Sequence, residues 1–107
     1  MIDDDNHFNS REFERDAVSI PAEIREQGAG RQKVSVIDLS PAGFRMHCIF
    51  IIPEDRTVFL TMPGFESLEA RIVWHDDSYY GCEFKQRLHG AVHDHIIRSY
   101  PTLRIRR

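Results

Sequence analysis

The chain has 107 residues, 41% of them apolar and 29% charged, with a net charge of −3. That length holds one hydrophobic core and not two, and the composition excludes both wholesale disorder and a membrane protein. The charge argues against a general binder of nucleic-acid polymers. Yet twelve of the fourteen basic residues are arginine, a bias suited to one specific anion, because the planar guanidinium fork grips phosphate or a guanine edge at two points.

Residues 1–9 carry Asp3, Asp4 and Asp5 and no apolar periodicity, so they read as a flexible acidic leader, opposite in charge to the start of a signal peptide. The longest apolar run, Cys48 to Ile52, is far too short to span a bilayer. A cytoplasmic location with no membrane span is therefore expected. Arg11-Glu12-Phe13-Glu14-Arg15 follows the leader and sets two guanidinium groups four residues apart. They can converge on one anion, or pair with Glu12 and Glu14 on a solvated arm.

From Ala17 to Ile24, Val18, Ile20, Ala22 and Ile24 alternate with Ser19, Pro21 and Glu23, the period of a strand with one buried face. Pro21 marks it as an edge or bulged strand. Gln27 to Gly30 supplies a turn, Lys33 to Ile37 a second strand, and the two make a hairpin. Asp38-Leu39-Ser40-Pro41-Ala42-Gly43 reads as a tight corner before alternation resumes at Phe44 to Cys48. Thr57 to Met62, Leu68 to Trp74 and Tyr79 to Phe84 give three more strands, the last two separated by the turn His75 to Ser78. Six short strands with frequent turns indicate an all-β barrel or sandwich.

Near the end the period changes. Leu88, Ala91, Val92, Ile96 and Ile97 recur at three and four, which predicts a short helix packed on the sheet and ended by Pro101. Residues 101–107 then form a basic tail. Of Trp74 and the phenylalanines, most are expected in the core rather than on a stacking platform, and Cys48 and Cys82 as buried free thiols. His89 and His93, one helical turn apart and close to Asp94 and His95, are the ligand types of a metal site. Without a third ligand at fitting spacing they read as exposed helix histidines, and no metal is expected. No nucleophile with a nearby base, paired acids or glycine-rich phosphate loop stands out, so no enzyme is expected either.

Asp38-x-Ser40-x-x-Gly43 admits two readings. A carboxylate can accept two donors from a guanine Watson–Crick edge, a hydroxyl adds an adaptable hydrogen bond, and glycine permits close approach. An Asx or Ser turn needs the same three residue types. Arg11-x-x-x-Arg15 followed after 22 residues by Asp38-x-Ser40-x-x-Gly43 resembles the signature of the PilZ family. The resemblance extends to Ala70-Arg71-Ile72-Val73-Trp74 and Tyr80-Gly81-Cys82-Glu83-Phe84, and covers residues 10–100.

It implies a six-stranded antiparallel β-barrel with a short C-terminal helix, binding cyclic di-GMP on its outer surface under the N-terminal arm, with no further cofactor. Carried over to this chain, Arg11 and Arg15 contact phosphates and guanine, Asp38 and Ser40 read guanine, and Gly43 gives clearance. It also implies a protein effector. Ser10 stands where many members have a further arginine, and Glu12, Glu14 and Asp16 surround the pair with negative charge. Arg45 and Arg71 would add positive potential, but strand parity leaves their side of the barrel open. The rival is a degenerate adaptor that keeps the barrel and works through protein contacts alone.

Overall fold

The computed structural model describes residues 16–100. Six strands, β1 (Asp16–Glu26), β2 (Arg31–Leu39), β3 (Gly43–His47), β4 (Thr57–Thr61), β5 (Leu68–Asp76) and β6 (Tyr79–Phe84), precede one helix, α1 (Gly90–Ser99). All pairings are antiparallel, and the sheet closes in the order β1-β2-β3-β6-β5-β4. The expected six-stranded barrel with a C-terminal helix is what forms.

Alternation does the work foreseen for β1, where Val18, Ile20, Ala22 and Ile24 all point inward. They meet Val36, Leu39, Met46, Leu60 and Ile72 in one continuous core. Pro21 is tolerated because β4 pairs with β1 only over Glu23 to Glu26. Among the described residues no strand pairs with the other side of β1 along residues 16–22, so a missing N–H there breaks no second ladder among them.

Each mouth of the barrel is closed differently. At one, the Tyr80 hydroxyl donates to the Phe50 carbonyl (2.8 Å) and accepts from the Ile52 N–H (3.1 Å), drawing residues 48–52 across the opening with Ile52 buried. At the other, Ile96 of α1 and Leu88 join the core, and the Tyr100 hydroxyl donates to the Pro63 carbonyl.

Several boundaries and faces differ from expectation. Asp38 and Leu39 belong to β2, so the corner shrinks to Ser40–Ala42, and β5 runs through His75 and Asp76. The β5–β6 turn is therefore only Asp77 and Ser78, with Asp77 at φ 61°, a left-handed conformation aspartate tolerates. Helix α1 starts at Gly90, capped by His89, whose Nδ1 accepts from the Ala91 N–H. Leu88 packs before the helix rather than on it. The buried helical positions are His93 and Ile96, while Ala91 and Val92 face outward. A polar residue thus occupies the packing stripe that the apolar spacing had assigned to Val92.

The aromatic residues need a similar correction. Phe44 and Phe84 are buried, Phe59 and Phe65 only half-buried, and Phe50 exposed. Phe59 shares the outward parity of Thr57 and Thr61 and lies under the Arg25 guanidinium at 4.7 Å. Trp74 is half-buried on the outside of the barrel. Cys48 and Cys82 are, as expected, buried free thiols, and burial pushes the Cys82 thiol up to about 12.

Candidate functional site

Asp38 reaches the outer surface through a local irregularity. The β2–β3 register shifts between Val36 and Asp38, leaving Ile37 as an extra residue. With strict alternation from inward Val36, Asp38 would point into the core and Leu39 outward. The bulge inverts this, so Leu39 faces inward opposite Phe44 and Asp38 faces outward opposite Arg45.

There the carboxylate is still largely covered, with its side chain 6% exposed, and Arg45 Nε donates to Oδ2 at 2.6 Å. A carboxylate this enclosed needs hydrogen-bond partners to offset its lost hydration. Arg45, 44% exposed at its side chain, supplies one and keeps the rest of its guanidinium toward solvent.

Ser40 and Gly43 are bound into the corner. The Ser40 N–H donates to the Gly43 carbonyl at 2.9 Å, and the Ser40 hydroxyl accepts from the Ala42 and Gly43 N–H groups at 3.2 and 3.3 Å. Gly43 lies against β6 so closely that a Cβ would collide with the Cys82 carbonyl oxygen. Phe84 N–H donates to the Ala42 carbonyl and Leu88 N–H to the Pro41 carbonyl, which fixes the corner to the β6–α1 connection.

Across the strands, Ala17, Asp38, Arg45, Gly81 and Trp74 pair in sequence from β1 to β5. Gly81 has no side chain on this surface, and the Trp74 indole covers it, occupying the space a Cβ would need. The result is an outward row of a carboxylate, a guanidinium and an aromatic ring. At its β1 end the row meets Ala17, which lies opposite Asp38 and two residues after Arg15 in the sequence. Arg11 and Arg15 themselves lie outside the described residues.

Arg45, Gly81 and Trp74 were not assigned to the site from sequence, although the turns contain the necessary information. Pairing back from the Pro41–Ala42 corner sets residue 38 opposite 45, and pairing back from Asp77–Ser78 sets 74 opposite 81. Arg71, the other arginine in question, is outside the barrel too, but is engaged by Glu83 at 3.0 Å and Asp55 at 3.4 Å.

Helix α1 touches the start of β1. His93 is buried, not exposed, and its Nε2 lies 3.5 Å from Asp16 Oδ2, an ion-pair separation without hydrogen-bond geometry. His89 and His95 point outward. Among the described residues no three His, Cys, Asp or Glu side chains group as a metal site. An open groove of about 650 Å³, lined by Phe65, Leu68, Phe84, Leu88, Val92 and Ile96, contains none of the motif residues. Among the described residues no helix is long and apolar enough to cross a membrane.

Two solved structures share this architecture. The PilZ domain of CeSA from a cellulose-synthesizing bacterium superposes with a TM-score of 0.59 at 20% identity, covering 79% of this chain and 92% of that one. The Bacillus subtilis inhibitor of motility MotI/DgrA gives 0.58 at 14% identity, covering 83% of this chain and half of that one. At such identities the likeness establishes the fold. No curated protein matches the chain. The PilZ domain family model matches residues 9–100, nearly the whole sequence, and the chain belongs to the PilZ domain family.

Proposed function

We propose that this PilZ domain is a cytoplasmic, non-catalytic receptor for cyclic di-GMP that passes the binding event to a protein effector. The observation that carries this reading is the outward row Asp38–Arg45–Gly81–Trp74, which starts opposite Ala17, two residues after Arg15 in the sequence. Each part suits the ligand. Arg11 and Arg15 offset the two phosphates and can fork onto guanine O6 and N7, and Asp38 accepts from the guanine N–H edge. Trp74 and the guanidinium of Arg45 offer flat faces on which a base can stack.

Ser40 and Gly43 act through the corner: one supplies the hydroxyl that ties it, the other lets it lie against β6. Bound nucleotide then orders the arm over the row, which changes the surface presented to the effector. Hydrogen exchange at residues 9–16 tests the arm's role. Protection should rise with cyclic di-GMP and stay unchanged with GTP. Equal exchange with and without cyclic di-GMP would remove the arm from the mechanism.

One observation favours a second reading. Asp38, Ser40 and Gly43 each already have a structural reason for their identity: a cross-strand ion pair, a turn and a close strand contact. A barrel that kept these for folding alone would be an adaptor acting by protein contact. It would survive replacement of Arg11 and Arg15 with its activity intact, whereas a nucleotide receptor would not.

A further inference from the structure

Residues 49–51 form an apolar ridge outside the mouth that the Tyr80 hydroxyl closes. Ile49 is 74% exposed, Phe50 43% and Ile51 82%, and Tyr79, 44% exposed, lies at the adjacent end of β6. The ridge is held in place. Phe50 and Ile52 are tied to Tyr80, the Cys48 N–H donates to the Ser78 carbonyl at 2.8 Å, and the Cys48 thiol donates to the Phe50 carbonyl. Three adjacent large apolar side chains fixed toward water are an unusual expense for a small domain unless something covers them.

The surroundings restrict the occupant. Glu54, Asp76 and Asp77 follow the ridge or flank its contact with the β5–β6 turn, and all three are exposed and make no ion pair among the described residues. Two such ridges face to face would bring like charges together, which disfavours a patch-to-patch dimer. An occupant with apolar anchors between cationic residues satisfies both the ridge and its rim. The chain carries one such segment: Leu103-Arg104-Ile105-Arg106-Arg107 alternates two aliphatic residues with three arginines.

Geometry decides whether the segment can act within its own copy. Tyr100 is anchored to Pro63, in the β4–β5 connection, at the mouth opposite the ridge. Ile105 lies within about 18 Å of Tyr100 even if fully extended. The nine residues of β5 alone cover about 26 Å between the two mouths at ~3.3 Å per step, and the ridge and α1 lie beyond either end. The extended segment is shorter than β5 itself, so its reach favours the ridge of a second copy over that of its own. We infer that the ridge of one copy receives the C-terminal segment Leu103–Arg107 of a second copy, a head-to-tail contact that requires no nucleotide.

Sedimentation velocity on the full chain without nucleotide, from about 20 to 500 µM, tests this at the affinity a short segment provides. The wild type should show a sedimentation coefficient that rises with concentration, less so at high salt. Ile51→Glu, at an exposed position that leaves the core intact, and the double variant Leu103→Ser/Ile105→Ser should each associate at least about tenfold more weakly. An equimolar mixture of the two variants keeps one intact ridge and one intact segment, and should form a species of two copies and no larger. A wild type monomeric throughout would overturn the inference. So would association that survives the tail substitutions, or a mixture that stays monomeric while the wild type associates.

Discussion

Arg45 Nε donates to Asp38 Oδ2 at 2.6 Å across the β2–β3 pair, so the charged residue of the Asp-x-Ser-x-x-Gly motif is held by a side chain outside the motif. The contact exists because the bulge at Ile37 turns Asp38 outward to the position opposite Arg45. Replacing Arg45 by alanine should lower stability by about 1 kcal/mol, a modest figure because the arginine is partly exposed and screened. Urea denaturation measures this directly. Cyclic di-GMP affinity should fall with it, since Asp38 loses a partner that helps orient its carboxylate.

Gly43 and Gly30 make a controlled comparison. A Cβ at Gly43 meets the Cys82 carbonyl oxygen of the neighbouring strand, which is backbone and cannot step aside, whereas a Cβ at Gly30 meets nothing within 4 Å. Gly43→Ala should cost more than about 2 kcal/mol, by prying β3 from β6, and Gly30→Ala should stay within roughly 0.5 kcal/mol of the wild type. Denaturation midpoints of the two variants check it; equal midpoints would mean that β3 and β6 part without cost to admit the methyl group.

How much of this was legible in the sequence depends on parity. Alternation located all six strands, and β1 and β4 keep it to the residue. It failed where a bulge adds a residue without a compositional mark, as at Ile37, which is why Asp38 read as part of a corner rather than as the outward end of a strand. The helix was found, but its face was misassigned because hydrophobicity ranked Val92 above His93. Packing chose His93, the residue that reaches Asp16. The Asp-x-Ser-x-x-Gly segment was visible at once, while Arg45 and Trp74 join it only through cross-strand pairing. Arg11 and Arg15 lie outside the described residues.

Alkaline pH should destabilise the fold through Cys82. Burial raises its thiol from 9.0 to about 12, with a smaller contribution from nearby Cys48. Between those values the folded state keeps its proton while the unfolded chain loses it, so the contribution of this thiol is constant below about pH 9 and declines as pH rises toward 12. At pH 10 the loss relative to pH 8 is on the order of 1 kcal/mol. Urea midpoints at these two pH values should differ clearly in the wild type and less in Cys82→Ala. An unchanged slope in the variant would assign the alkaline loss to other groups.

Isothermal titration of cyclic di-GMP into the wild type, Arg15→Ala and Asp38→Ala, with GTP as a control, tests the receptor reading most directly. Saturable wild-type binding is expected, with loss of binding in both folded variants and none with GTP. A wild type that binds no cyclic di-GMP at protein concentrations of tens of micromolar, corresponding to binding weaker than about 7 kcal/mol, would contradict it and leave the barrel as a protein-contact adaptor.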